Sequence, residues 1–217
     1  MERSSLRHNI IYICGPDGSG KSTLSRQLVK TLAKRNIKTT YRWMRFNHIT
    51  SKLVNAIGRL SRLSQKVTYN GNVIVGYHLY YKSALISWLY ILSTIIDLYL
   101  VYPFKIFLPI IGGRVVVIDR FVYDILVDLM VDTRITNLHE RWPGNILRMA
   151  IPVNSVCFFL DVDIDTIRDR RPDTAYDRTQ KQRCELYKIL SKDLNIHTLN
   201  NNLEVESTLT AILEKIN

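Results

Sequence analysis

Gly15, Pro16, Asp17, Gly18, Ser19, Gly20, Lys21 and Ser22 spell the run G-x-x-x-x-G-K-S, and no other feature of the chain restricts its fold so tightly. The glycines let the backbone curl until successive N–H groups point inward at an anion, a course that side chains at those positions would obstruct. The flanks agree. Ile10 to Cys14 (IIYIC) is an apolar run of strand length, and Leu24, Leu28 and Leu32 recur every four residues, as on a helix. Strand, loop and helix in that order turn the positive end of the helix toward phosphates. Lys21 is then expected on the β and γ phosphates of a nucleoside triphosphate and Ser22 on Mg²⁺, with Gly15, Asp17, Gly18, Ser19, Gly20 and Thr23 completing the cradle.

Apolar and periodic segments alternate along the rest of the chain. Strands are expected at 10–14, 37–43, 114–118, 155–161 and 195–199, and helices at 21–35, 122–131, 138–149, 164–171, 177–193 and 203–216. Residues 49–65 read as helical and basic, and 73–108 as helical and apolar. That order predicts an α/β fold with a parallel five-stranded sheet flanked by helices, in one domain spanning 1–217. With 217 residues and 47% apolar composition, such a domain can bury its core without metals or disulfides. Cys14, Cys157 and Cys184 are widely spaced and form no C-x-x-C, so they are expected to be reduced thiols of a cytoplasmic protein.

The 30 Lys and Arg against 19 Asp and Glu leave a net charge of +11, which calls for a polyanionic partner. Nucleotides meet that need. A first basic group, including Arg42, Arg45, Lys52 and Arg59, has no nucleic-acid-binding motif beside it and reads as a solvated helix face. Ala84 to Tyr102 (ALISWLYILSTIIDLYLVY) is close to the length of a membrane span. Asp97, Ser87, Ser93 and Thr94 interrupt it, however, and its position suits a buried crossover helix, so a core or dimer-interface helix is expected there in preference to a membrane element.

Two further segments carry chemistry. Arg114 to Asp124 (RVVVIDRFVYD) is a buried strand ending in a carboxylate, the place where open α/β sheets put their ligands. Asp119 is expected to help hold Mg²⁺ and Arg120 to grip the acceptor or the transferring group. Arg168, Arg170, Arg171 and Arg178 follow the next strand and read as a lid, at about residues 164–180, whose guanidinium groups offset the charge of a transferring phosphoryl.

Taken in order, GPDGSGKST, the strand ending in Asp119-Arg120-Phe121, FFLDVD and the arginines after it resemble the thymidylate kinase group of phosphate-loop kinases over nearly the whole chain. The resemblance implies the P-loop NTPase fold, a homodimer, and transfer of the ATP γ-phosphate to a nucleoside monophosphate. It also implies a catalytic set of Lys21, Asp119, Arg120, Arg168, Arg170, Arg171 and Arg178. The acceptor is expected against Asp17, Arg45, Arg120, Phe121, Asp124 and Asp128. Gly18 stands where one branch of the family has an arginine, which assigns the catalytic cations to the lid. Departures accompany the likeness. An ungapped match on Asp119 puts the family's second Asp-Arg pair at Asp97 and Leu98, its Tyr-Gln pair at Asp128 and Leu129, and its small base-lining residues at Asp124 and Ile125. Asp124, Asp128 and Asp132 share one helix face. They read either as a solvated stripe or as a pocket for a hydroxyl acceptor such as a nucleoside or sugar, with Asp119 or Asp124 as base. A non-catalytic, membrane-associated nucleotide-binding protein is the remaining alternative.

Overall fold

The computed structural model describes residues 6–44, 49–69, 73–202 and 204–216. In chain order the elements begin with β1 (Ile10–Cys14), α1 (Lys21–Lys34), β2 (Thr39–Trp43), α2 (Ser51–Leu60), β3 (Ser64–Tyr69) and β4 (Val73–His78). Then come α3 (Ala84–Tyr102), α4 (Leu108–Ile111), β5 (Val115–Asp119), α5 (Val122–Thr133) and α6 (Trp142–Met149). The chain closes with β6 (Ser155–Asp161), α7 (Ile164–Arg170), α8 (Gln180–Asp193), β7 (His197–Asn200) and α9 (Val205–Ile216).

Five strands form one parallel sheet in the order β2-β5-β1-β6-β7, with helices on both faces. β1 lies at its centre and every one of its residues is buried, which is why the segment is apolar without alternation. On one face Ile11 and Ile13 pack with Leu24, Leu28 and Leu32 of α1 and Ile212 and Ile216 of α9. On the other, Tyr12, Cys14 and Ile118 meet side chains of α3, α5 and α8. The register sets Ile13 opposite Asp119 and Cys14 opposite Phe159, so the loops after β1, β5 and β6 leave the sheet at one level. That alignment positions the candidate site.

The middle of the chain departs from the sequence reading in three ways. First, the helix expected at 49–65 stops at Leu60, and the one expected at 73–108 starts at Ala84. Between them β3 and β4 pair antiparallel, Ser64 with His78 through Tyr69 with Val73. The β-branched and aromatic residues Val67, Thr68, Tyr69, Val73, Ile74 and Val75 favour strand over helix, and Asn70-Gly71 between them is a hairpin turn signal in the sequence. Residues 70–72 themselves lie outside the described residues. This hairpin reaches the arginine-rich segment. The Tyr77 hydroxyl donates to the Tyr176 carbonyl at 2.9 Å and accepts from the Arg178 amide at 3.3 Å, while the Tyr69 ring stacks on Tyr176 with centroids 5.3 Å apart.

Second, α3 is only half a core helix. Ile86, Tyr90, Ile91, Ile95 and Leu98 enter the core, whereas Leu85, Leu89, Leu92, Ile96 and Leu100 are exposed. The helix also runs on, through a widened π turn at Pro103–Phe107, into α4. Pro103 has no N–H to close the preceding α-type hydrogen bond, which suits it to a wide turn.

Third, Asp97 is a helix cap reaching across from α3. Its carboxylate accepts from the amides of Ile49 (3.0 Å), Thr50 (2.6 Å) and Ser51 (3.0 Å) and from the hydroxyls of Thr50 (2.8 Å) and Ser51 (2.5 Å). These are the orphan donors at the start of α2, and a carboxylate there is also favoured by the helix dipole. Burial alone would raise its pKa, but the bonds from Ser51 and Thr50 outweigh it and hold the group below its ordinary value. With both oxygens committed and Leu98 beside it buried, the pair aligned with a base-reading Asp-Arg is structural.

Asp97→Asn keeps the shape but turns an NH2 toward those donors, and should cost about 3 kcal/mol in urea unfolding at neutral pH. The lowered pKa fixes the sign: the carboxylate's contribution is complete above the unfolded value of about 4 and is lost as pH falls through the lower native value. The difference between wild type and Asp97→Asn should therefore shrink below about pH 4.

Candidate active site

The loop between β1 and α1 is built around its glycines. Gly18 and Gly20 have φ of 87° and 89°, in the left-handed region that other residues enter at a cost. Side chains would also collide there: a Cβ on Gly18 would lie 2.9 Å from Ile167 Cγ2 on α7, and one on Gly20 would lie 2.9 Å from Asn201 Nδ2. The bare backbone at Gly18 thus lets the arginine-bearing helix close onto the loop. Asn201, just past β7, donates to the Ser19 carbonyl at 2.7 Å and fixes the loop from the far side of the sheet.

Lys21 is 3% exposed and folds back into the loop, donating to the carbonyls of Gly15 and Pro16, both at 2.6 Å. Burial, aided by the charge of Arg120, lowers its pKa to about 8. Next to it the Ser22 hydroxyl donates to Asp119 Oδ2 at 2.5 Å, and the Tyr41 hydroxyl donates to the same oxygen at 2.8 Å. Burial, with that bond, raises the Tyr41 phenol to about 12 and keeps it a donor. The other carboxylate oxygen, Asp119 Oδ1, is buried with no hydrogen-bond partner among the described residues. A hydroxyl and a carboxylate with one oxygen unspent are hard donors that suit Mg²⁺.

Above the loop opens a cleft of about 370 Å³, walled by Gly18, Gly20, Lys21, Ser22 and Thr23 on one side and by Arg120, Arg170, Arg171, Asn201 and Val205 on the other. Arg170 is held there by donating to the Asn201 carbonyl at 2.8 Å, and Arg171 by two bonds to Asp173 at 2.8 and 2.6 Å. Arg120 has a φ of 66°, unusual for a side chain of its size, and makes an ion pair with Asp17 from inside the loop. Backbone strain at a residue facing the cleft marks a position held for something other than packing.

The structure therefore brings Gly15, Asp17, Gly18, Ser19, Gly20, Lys21, Ser22, Thr23, Asp119, Arg120, Arg170 and Arg171 together. Arg168 is half exposed and faces Asp165 at 3.5 Å, and Arg178 is exposed, so neither walls this cleft. Phe121, expected at the acceptor, is 1% exposed and edge-on to Tyr12 in the core. Asp124 is also spent on structure. It accepts from the phenols of Tyr12 and Tyr187, each at 2.7 Å, and from the Phe121 amide at 2.9 Å, closing the start of α5. Asp128 makes a half-buried ion pair with Arg183 of α8, and Asp132 is buried, so the acidic stripe is not solvated. Arg45 lies outside the described residues.

Three participants escape the sequence reading. Asn201 follows the last strand of the sheet and could have been found by the rule that ligands gather at the carboxyl ends of parallel strands. Tyr41 and Gln180 carry no local signal. Gln180 is 3% exposed and donates to the Asp17 carbonyl at 2.9 Å, tying the start of α8 to the loop.

Lys21 also makes stability pH-dependent. The unfolded chain keeps this lysine protonated to about pH 10.4, the native protein only to about 8, so stability rises with pH across that window, by about 3 kcal/mol for this group. Urea unfolding at pH 8 and pH 10 should show wild type gaining on Lys21→Met by that order. No family model and no curated protein sequence matches the chain, and the case for a function rests on this geometry.

Proposed function

We propose that the chain is an ATP-dependent phosphotransferase of the P-loop NTPase fold, similar to thymidylate kinases, that moves the γ-phosphoryl of ATP to a nucleoside monophosphate. The observation that carries this reading is the contact of Ser22, in the first turn of α1, with Asp119, at the end of β5, beside Lys21 and beneath Arg170 and Arg171. An anion-binding loop, a place for a hard cation and a pair of guanidinium groups around one cleft are what phosphoryl transfer needs, since the reaction is mostly positioning and charge stabilisation. Ser22 and Asp119 would hold Mg²⁺, which when bound neutralises charge on the phosphate oxygens.

The remaining work falls to side chains of the chain itself. Lys21 exchanges its bonds to the Gly15 and Pro16 carbonyls for phosphate oxygens, and the negative charge returns its pKa toward the ordinary lysine value. Tyr41 holds the Asp119 carboxylate in one rotamer, and the Ser22 hydroxyl beside it would be the second protein ligand of the cation. Arg170 and Arg171 supply the mobile positive charge and close the cleft against water. Arg120, at the boundary between the loop and the far side of the cleft, contacts the phosphoryl group or the acceptor.

A hydroxyl acceptor on a nucleoside or sugar is the second reading, and the Asp17–Arg120 ion pair favours it. An acceptor phosphate has to displace Asp17 from Arg120, whereas a hydroxyl meets Asp17 as a ready base. Asp124, with both oxygens engaged by tyrosines and an amide, is not available for that role.

Incubating the protein with γ-labelled ATP and a panel of nucleoside monophosphates, nucleosides and sugars tests both readings. Label should move to one acceptor class, and Lys21→Ala should reduce transfer by about a thousandfold. Arg120→Ala should abolish transfer and spare ATP binding. Asp17→Asn should cost little with a phosphate acceptor and at least about a hundredfold with a hydroxyl one. ATP binding with no labelled product from any acceptor would remove the kinase assignment.

A further inference from the structure

The continuous rod formed by α3, the π turn and α4 presents one uninterrupted apolar stripe to solvent. Leu85, Leu89, Leu92, Ile96 and Leu100 line it along α3. Phe104, Phe107, Leu108 and Ile111 extend it, all at least half exposed. The rod spans Ala84–Ile111, about 40 Å, and only 39% of its most apolar window is buried. A patch of this extent on a soluble surface marks an interaction site.

The charge around the stripe says what covers it. Every acidic residue between Gly18 and His139, namely Asp97, Asp119, Asp124, Asp128 and Asp132, is buried or turned inward to a partner. Basic side chains have no such restriction. Lys52, Arg59, Arg62, Lys82 and Arg114 are all exposed, and Lys105, on the π turn, is half-buried and donates to the carbonyl of the half-exposed Trp43. On α2, which packs along α3, Leu53 and Leu60 stand exposed between Lys52, Arg59 and Arg62, and they widen the apolar surface.

We propose that this face docks on the surface of an anionic lipid bilayer, with the rod lying in the interface plane. A second copy of the chain fits the charge badly, because a two-fold contact would set one cationic surface against its equal with no exposed carboxylate from this stretch to relieve it. An anionic bilayer satisfies both parts of the surface: its headgroups meet the lysines and arginines, and its acyl boundary takes the leucines and phenylalanines. The rod does not span. Its opposite face carries Ile86, Tyr90, Ile91 and Leu98 of the core and the Asp97 cap of α2, and inserting it would dismantle the fold. Membrane docking is independent of the reaction proposed above, and its test uses no nucleotide.

The test is flotation of the purified full chain with vesicles of phosphatidylcholine alone or mixed equally with phosphatidylglycerol. The protein should float with the anionic vesicles, not with the neutral ones, and should be released by about 0.5 M salt. Phe104→Glu/Phe107→Glu at one end of the rod, Leu85→Glu/Leu89→Glu at the other, and Lys52→Glu/Arg59→Glu should each weaken binding more than tenfold while melting like the wild type. Three results would overturn the proposal: no flotation of the wild type, undiminished flotation of a correctly folded stripe variant, or a solution dimer, seen by light scattering, that ignores vesicles and dissociates on the stripe substitutions. The last would assign the face to a second copy.

Discussion

The alignment of Ile13 with Asp119 across two parallel strands is the constraint on which the rest of the site depends. It sets the end of β5 level with the start of the glycine-rich loop, so that the Asp119 carboxylate and the Ser22 hydroxyl meet although they lie far apart in sequence. A one-residue slip would turn Asp119 to the other face of the sheet and leave Ser22 and Tyr41 without their acceptor. What prevents the slip is ordinary packing. Ile11 and Ile13 are committed to the α1–α9 face, Tyr12 and Cys14 to the opposite one, and neither set can exchange places. The precision of a polar site is thus set by apolar side chains that never touch it.

The same division explains which parts of the molecule were legible in its sequence. The central strands, the loop, α1 and the Asp119-Arg120 turn announce themselves through local pattern, because a wholly buried parallel strand must be apolar and a loop with left-handed turns must be rich in glycine. Side chains whose roles come from partners distant in sequence do not. Asp124 reads as a ligand-seeking carboxylate and Asp97 as an interruption of an apolar helix, because sequence shows their type but not the donors arrayed around them, and both prove to be helix caps. Asp128 looked like part of an acidic stripe until Arg183 arrived from α8. The β3–β4 hairpin is a different kind of miss: its Asn-Gly signal was present, and the apolar tract after it drew the assignment toward helix.

Charge is distributed unevenly along the chain. Exposed acids concentrate after His139, and two of them, Asp165 and Asp173, pair locally with Arg168 and Arg171. The stretch from Gly18 to His139 keeps its acids inside, while most of its lysines and arginines, Lys21 of the loop apart, reach solvent. The net charge of +11 is therefore unevenly distributed along the chain, and the cleft draws its wall residues from both stretches.

The tie between Tyr77 and the lid segment carries a consequence for motion. One phenol on β4 satisfies both the Tyr176 carbonyl and the Arg178 amide, and the Tyr69 ring covers the same place. The segment after α7 cannot swing without either breaking those bonds or taking the hairpin along. The hairpin and the segment after α7 thus form one cooperative unit, and amide protons on both should exchange with solvent at a shared rate, slower than a surface loop would show alone.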